Sequence, residues 1–91
     1  MRYVLSYDIT DDKRRRKVAR ECEDYGDRVQ FSVFEFLLAR PDLDELIDAL
    51  AEIIDEGEDT IRVYPIHADA EKEIILIGAS DLIKDEDFYI I

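Results

Sequence analysis

A carboxylate and a run of cations stand close together near the start of this sequence. Asp8 closes a short alternating segment, and Lys13, Arg14, Arg15, Arg16, Lys17 and Arg20 follow soon after. A hard oxygen ligand of this kind suits Mg²⁺ or Mn²⁺, which binds one or two carboxylates and fills its other positions with water and phosphate. Guanidinium groups meet phosphate through paired N–H donors. The two residue types together describe phosphodiester chemistry, a cation site beside an anion site. Each also has a plainer reading. A strand-end aspartate caps a following helix or shapes a turn, and a charged helix face is as readily a solvated one, here paired with Asp11, Asp12, Glu21 and Glu23. One carboxylate is too few for a closed metal cage, whereas a two-fold axis through this strand would bring up a second Asp8.

These side chains need elements to hold them. Residues 3–8 alternate Tyr3, Leu5 and Tyr7 with Val4, Ser6 and Asp8, which reads as a strand ending at Asp8. Thr10, Asp11 and Asp12 supply capping side chains for a helix to about Tyr25, with Val18, Cys22 and Tyr25 as its inner stripe and Gly26 as its stop. On a helical wheel Lys13, Arg16, Lys17 and Arg20 face away from that stripe, while Arg14 and Arg15 flank it and reach toward the sheet ends. Basic groups at a helix start oppose the helix dipole, so local stability does not explain them. With the free amides of the helix start they form a candidate phosphate site.

Residues 28–38 form a long β-rich run with Val29, Phe31 and Val33 on one face and Phe34, Phe36 and Leu38 on the other. Apolar residues on both faces predict cover on both sides, and so a partner. Pro41 fits the first turn of a second helix, with Leu43, Leu46, Ile47, Leu50, Ile53 and Ile54 inward and Gly57 as its C-terminal cap. Residues 60–66 and 73–77 read as two more strands, 84–87 as an acidic turn, and 88–91 as a short apolar strand suited to a sheet edge. The order is read as βαββαβ plus a tail. It predicts an α+β, ferredoxin-like domain over residues 1–78, with strands one and three side by side at the centre. Residues 79–91 are expected to pack as a tail, with its edge strand, on the partner of a homodimer.

Composition sets the outer bounds. Ninety-one residues, 47% of them apolar, suit one core and favour oligomerisation. No apolar run approaches the roughly 20 residues of a membrane span and no cationic leader is seen, which points to a cytoplasmic protein with no membrane role. Cys22 is the one cysteine, so neither an internal disulfide nor a thiolate metal site can form. A net charge of −12 argues against a nucleic-acid partner until its distribution is considered. Residues 1–40 hold nine Lys/Arg against eight Asp/Glu, whereas 41–91 hold three against sixteen. Positive charge is concentrated where Asp8 stands.

Three stretches then occur in order: Tyr7-Asp8-Ile9 with Asp11-Asp12 and the following arginines; Gly26-Asp27-Arg28-Val29-Gln30-Phe31-Ser32-Val33-Phe34-Glu35; and Arg62-Val63-Tyr64-Pro65-Ile66. Together they resemble the small CRISPR-associated endoribonuclease family, the non-integrase partner in CRISPR spacer acquisition. The resemblance runs from residue 1 to about residue 77. It implies a ferredoxin-like homodimer whose two Asp8 carboxylates share a Mg²⁺. It implies a metal-dependent endonuclease, on single-stranded RNA in some members and double-stranded DNA in others. It also implies a bridge between two dimers of the CRISPR integrase, making a heterohexamer.

Carried over by motif, Asp8 is the metal ligand and catalytic residue, and Arg15, Arg28, Ser32 and Phe34 fall on positions tied to activity or substrate placement. Arg14, Arg16, Lys17 and Arg20 join them as nucleic-acid contacts. Lys17 stands where some relatives have arginine, which keeps the charge and loses bidentate phosphate contact. For Ser32 and Phe34 the plainer readings, a tolerated strand serine and a core aromatic, carry more weight than phosphate contact or base stacking. Glu35 is a further candidate contact, and His67 is the only imidazole available as a base, or else a surface turn residue. The competing function is a non-catalytic scaffold that grips duplex DNA. A small-molecule-sensing domain is disfavoured by the presence of only three glycines, and an RNA-recognition motif by the absence of its Gly-Phe-rich signature around residues 61–66.

Overall fold

The strand at the centre of the sheet is the first one. In a computed structural model that describes residues 1–78 and the backbone of Tyr89–Ile90, β1 (Arg2–Asp8) is paired on both sides, with β3 (Val33–Leu37) and with β4 (Thr60–Ile66), both antiparallel. β2 (Asp27–Gln30) adds outside β3, giving the order β2-β3-β1-β4. This is the ferredoxin-like order, with strands one and three adjacent at the centre as expected. Helices α1 (Asp12–Glu23) and α2 (Arg40–Ile53) lie against one another on one face of the sheet.

Alternation decides which side chains make the core. Tyr3, Leu5 and Tyr7 of β1 point to the helices and are buried with Phe34 and Phe36 of β3, Val18, Ala19 and Cys22 of α1, and Leu43, Leu46 and Leu50 of α2. Ile53 and Ile54 pack partly against this cluster, while Ile47 stays at the surface. The inner stripe read from the sequence of each helix is therefore largely the stripe that is buried. Burial in apolar surroundings pushes the Cys22 thiol up to about 12, so it behaves as a small core side chain. The opposite face carries Val4, Ser6 and Asp8 with their cross-strand neighbours Tyr64, Arg62 and Thr60.

Three expectations change. The long run of residues 28–38 is a hairpin: Phe31 and Ser32 turn the chain, and β2 pairs back on β3 with a bulge between Arg28 and Gln30. Its apolar residues thus belong to two strands and the turn between them: Phe34 and Phe36 enter the core and Leu38 packs partly against it, while Val29, Phe31 and Leu37 stay exposed. Of residues 73–77 only Ile75–Leu76 form a strand, β5, which follows a single helical turn, α3 (Ala68–Glu71). β5 pairs in parallel with β6 (Tyr89–Ile90) in a separate two-stranded sheet. The expected acidic turn at 84–87, Phe88 and Ile91, and the packing of the tail on a partner, lie outside the described residues.

The third change concerns glycine. Gly26 follows the end of α1 as expected, but not in a left-handed conformation: among the described residues only Gly78 has a positive φ. What Gly26 provides is space. A Cβ there would sit 2.3 Å from the Glu35 carbonyl oxygen and 2.4 Å from the Phe36 ring, so only a bare backbone lets the end of α1 approach β3. Gly57 is likewise no left-handed cap. α2 ends at Ile54 in extended conformation, and the Asp55 side chain accepts the Gly57 N–H at 2.9 Å. Gly26→Ala should cost about 1–3 kcal/mol in urea unfolding, as an overpacked site does. Gly57→Ala, whose nearest neighbour is the movable Asp55 carboxylate, should cost much less. Equal losses would show that close approach is not what fixes Gly26.

Candidate active site

Asp8 is exposed at the C-terminal end of β1, on the face away from the helices. The antiparallel register sets Thr60 opposite Asp8 and Arg62 opposite Ser6, and these four residues with Tyr7 line a pocket of about 220 Å³. Ser6 and Asp8 share a face because they are two residues apart on a strand. The pocket thus offers one carboxylate, two hydroxyls and a guanidinium. Its oxygen donors are hard ones and suit Mg²⁺ or Mn²⁺ bound partly by water and phosphate. Among the described residues no three His, Cys, Asp or Glu side chains come together to hold a metal. One chain therefore fits the open, carboxylate-poor kind of site and not a closed cage.

Helix α1 begins beside this pocket for a local reason. Asp11 is its N-cap, accepting the Arg14 N–H at 2.8 Å. That hydrogen bond holds the Asp11 carboxyl below its usual pKa. The cap is thus Asp11, which leaves Asp8 free of the capping role. On the first turns of α1 the arginines separate by what they touch. Arg14 is held by Asp59, with Nε to Oδ2 at 2.8 Å and Nη2 to Oδ1 at 3.2 Å, and reaches Glu58 at 3.1 Å. Its Nε and Nη2 donors are engaged in tying α1 to the loop before β4, so the geometry lends no support to its expected place among the nucleic-acid contacts. Arg15 folds back onto the β1–α1 loop, donating to the Ile9 carbonyl at 3.0 Å and pairing with Asp12.

Arg16 and Arg20 remain, and with Arg15, Arg28, Tyr7 and Phe31 they line a second pocket of about 420 Å³ between α1 and the hairpin. Tyr7 lines both pockets, the basic one on the helix side of the sheet and the Asp8 one on the open side. Arg28 lies over the Phe34 ring at 5.4 Å. Phe34 itself is 0% exposed, so the expectation that it contacts nucleic acid is corrected: the ring is core, and the group it presents to solvent is Arg28. Ser32 is half-buried beside Arg28 in the neighbouring hollow, and its carbonyl accepts the Tyr7 N–H. Lys17 is exposed and lines neither pocket. Glu35 pairs with Arg2 at 2.9 Å, and His67 is an exposed residue just before α3. Sequence reasoning missed Arg62, Thr60 and Phe31 as site residues. Arg62 and Phe31 both lie in motifs, but only the β1–β4 register and the hairpin turn bring them to the pockets.

These features define a ferredoxin-like α+β domain with a polar site at the C-terminal end of its central strand and a basic pocket alongside. Residues 1–74 match the family model described as CRISPR associated protein Cas2, and the chain belongs to that family. A protein of Rhodospirillum rubrum named CRISPR-associated endoribonuclease Cas2 4 is 44% identical over 87% of this chain and 64% of its own length, so the chain spans just under two thirds of that relative. The crystal structure of Streptococcus pyogenes Cas2 superposes with a TM-score of 0.74 at 35% identity, covering 86% of this chain and all of that one. A chain in a partial Cas6-RT-Cas1–Cas2 complex superposes at 0.66 with 34% identity, covering 90% and 83%. Among the described residues no helix is long and apolar enough to cross a membrane.

The Arg14–Asp59 pair makes a pH-dependent prediction. Arg14 and the Asp55 N–H, which donates to Asp59 at 2.9 Å, hold the Asp59 carboxyl below its ordinary value of 3.8. The unfolded state then binds the proton more readily, so this contribution is complete above about pH 5 and is lost as pH falls through the lower folded value. Asp59→Asn should lower the melting temperature near neutral pH, and its gap to the wild type should close below about pH 4. A gap that stays constant with pH would mean that the ionised pair contributes nothing.

Proposed function

We propose that this chain is a metal-dependent endonuclease of CRISPR adaptation, acting as a homodimer beside the CRISPR integrase. The observation that carries the reading is that two polar pockets, one on each side of the sheet, share Tyr7 near the end of β1. One holds Asp8 with Arg62, and the other is lined by Arg16, Arg20 and Arg28. Asp8 with its equivalent in a second copy would hold Mg²⁺ or Mn²⁺. When bound, the metal would polarise a phosphoryl oxygen and lower the pKa of a coordinated water. Arg62 can hold a non-bridging phosphate oxygen and offset charge that develops there. Arg16, Arg20 and Arg28 can hold the neighbouring phosphates, fixing the register of the strand on the protein. The open face of the sheet supports the dimer: beside Val4 and Val33 it bears the exposed Leu37 and Tyr64. The names of the relatives support the nuclease chemistry, and the solved complex of Cas1 with Cas2 supports an integrase partner. The stoichiometry proposed is one dimer of this chain between two integrase dimers.

A second reading, a DNA-gripping scaffold without catalysis, is favoured by the single carboxylate of the Asp8 pocket and by the absence of a metal-holding cluster among the described residues. Asp8→Ala separates the two. The nuclease reading expects Mg²⁺-dependent cleavage of single-stranded RNA or duplex DNA to be lost, with each chain still folded because Asp8 is exposed in the single chain and outside its core. Lost cleavage with spacer acquisition intact in cells would make the scaffold role primary.

Both readings need the basic pocket. Reversing charge in an Arg16→Glu, Arg20→Glu variant should weaken nucleic-acid binding and reduce the slope of log K against log salt by about 2, the two phosphate contacts removed. An unchanged slope would move the nucleic acid to another face.

A further inference from the structure

The tip of the β2–β3 hairpin bears a side chain that folding does not explain. Phe31 is 92% exposed at the turn, although a buried phenylalanine contributes about 1.5–3 kcal/mol to stability. The turn is nonetheless held in place. The Tyr7 hydroxyl donates to the Phe31 carbonyl at 2.9 Å, and the Tyr7 N–H donates to the Ser32 carbonyl at 3.1 Å. Tyr7 belongs to the central strand and is itself buried. The ring is therefore presented to solvent from a fixed base, with hollows on both flanks. One is the 420 Å³ pocket with Arg16, Arg20 and Arg28, and the other, of about 630 Å³, is bordered by Arg28, Val29, Gln30 and Ser32.

The surrounding charge narrows what can occupy this place. Arg16, Arg20 and Arg28 make no ion pair among the described residues, and Glu23 is the one carboxylate in the pocket lining. A protein contact centred on Phe31 would desolvate three guanidinium groups with it, whereas the centres of protein interfaces are depleted of charge. A ligand with a flat π face and adjoining anionic groups satisfies ring and guanidinium groups together. An unstacked nucleotide is such a ligand, and a volume of 420 Å³ lies within the range of about 300–1,000 Å³ of small-ligand pockets. Bases inside a duplex are covered by their neighbours and offer no face to the ring.

We propose that Phe31 is a stacking platform for one unstacked base of a single-stranded nucleic acid, with Arg16, Arg20 and Arg28 taking the flanking phosphates. This assigns Phe31 as the residue that distinguishes single strand from duplex, and it rests on the nucleic-acid reading of the basic pocket given above. Affinity then has two separable parts: a phosphate part that any strand supplies and a stacking part that only a free base supplies.

The chain contains no tryptophan, so a Phe31→Trp variant reports on this position alone. Titration with a short single-stranded oligonucleotide should quench its fluorescence, while an abasic oligomer of equal length and a blunt duplex should bind without quenching. Phe31→Ala should weaken single-strand binding by about tenfold, the range of one base–aromatic stack, and leave abasic and duplex binding unchanged. Quenching by all three ligands, or wild-type affinities in Phe31→Ala, would overturn the proposal while leaving the basic pocket in place. Loss of the dimer in Phe31→Ala with unaltered oligonucleotide binding would also overturn it and assign the ring to a second copy. Failure of the wild type to bind any of the three would remove the nucleic-acid reading itself.

Discussion

Hydrogen bonding of β1 on both edges is the constraint from which the rest of this structure follows. With β3 on one side and β4 on the other, the strand has no freedom to slide, because a shift by one residue would exchange Tyr3, Leu5 and Tyr7 for Val4, Ser6 and Asp8 on the helix side. The same pinning fixes what stands at its end. Thr60 and Arg62 come to Asp8 through the β4 register, and the hairpin turn comes to Tyr7 through two hydrogen bonds. Both pockets are thus consequences of one strand's position.

Charge is divided in a way that composition hides. Arg2 is buried on the face away from the helices and held by Glu35 and Glu71, so it fastens α3 against the N-terminal end of β1. Arg14 fastens α1 to the loop before β4 through Asp59. These two guanidinium groups serve the fold, since a buried charge is tolerated only when paired and hydrogen-bonded. Arg16, Arg20 and Arg28 lie at solvent-facing pockets, where a polyanion can reach them. In a chain of net charge −12, this leaves a small group of arginines at one pocket against an overall negative field.

Much of this fold was legible in the sequence. Alternation over residues 3–8 and helical spacing at Val18 and Cys22 and at Leu43, Leu46 and Leu50 depend on local geometry, and each gave the correct buried face. Asp8 at a strand end beside a basic helix was equally readable. The hairpin was not, because Phe31-Ser32 lacks the glycine or asparagine that marks tight turns, and its apolar residues imitate one long strand. Gly26 was readable as the stop of α1, but the carbonyl that crowds it was not, since the sequence announces a glycine and not its neighbours in space.

By itself, the sequence determined β1, the two long helices and β4, their inward faces, the position of Asp8 and the family motifs, all of which follow from periodicity or from residue type along the chain; it did not determine the β2–β3 hairpin or α3. Tertiary structure alone decided which arginines line a pocket and which are held in ion pairs. Arg14 and Arg16 are near neighbours of one type on one helix, yet one meets Asp59, 45 residues away, and the other lines a pocket. Strand register and long-range ion pairing make that choice, and neither is encoded in local spacing.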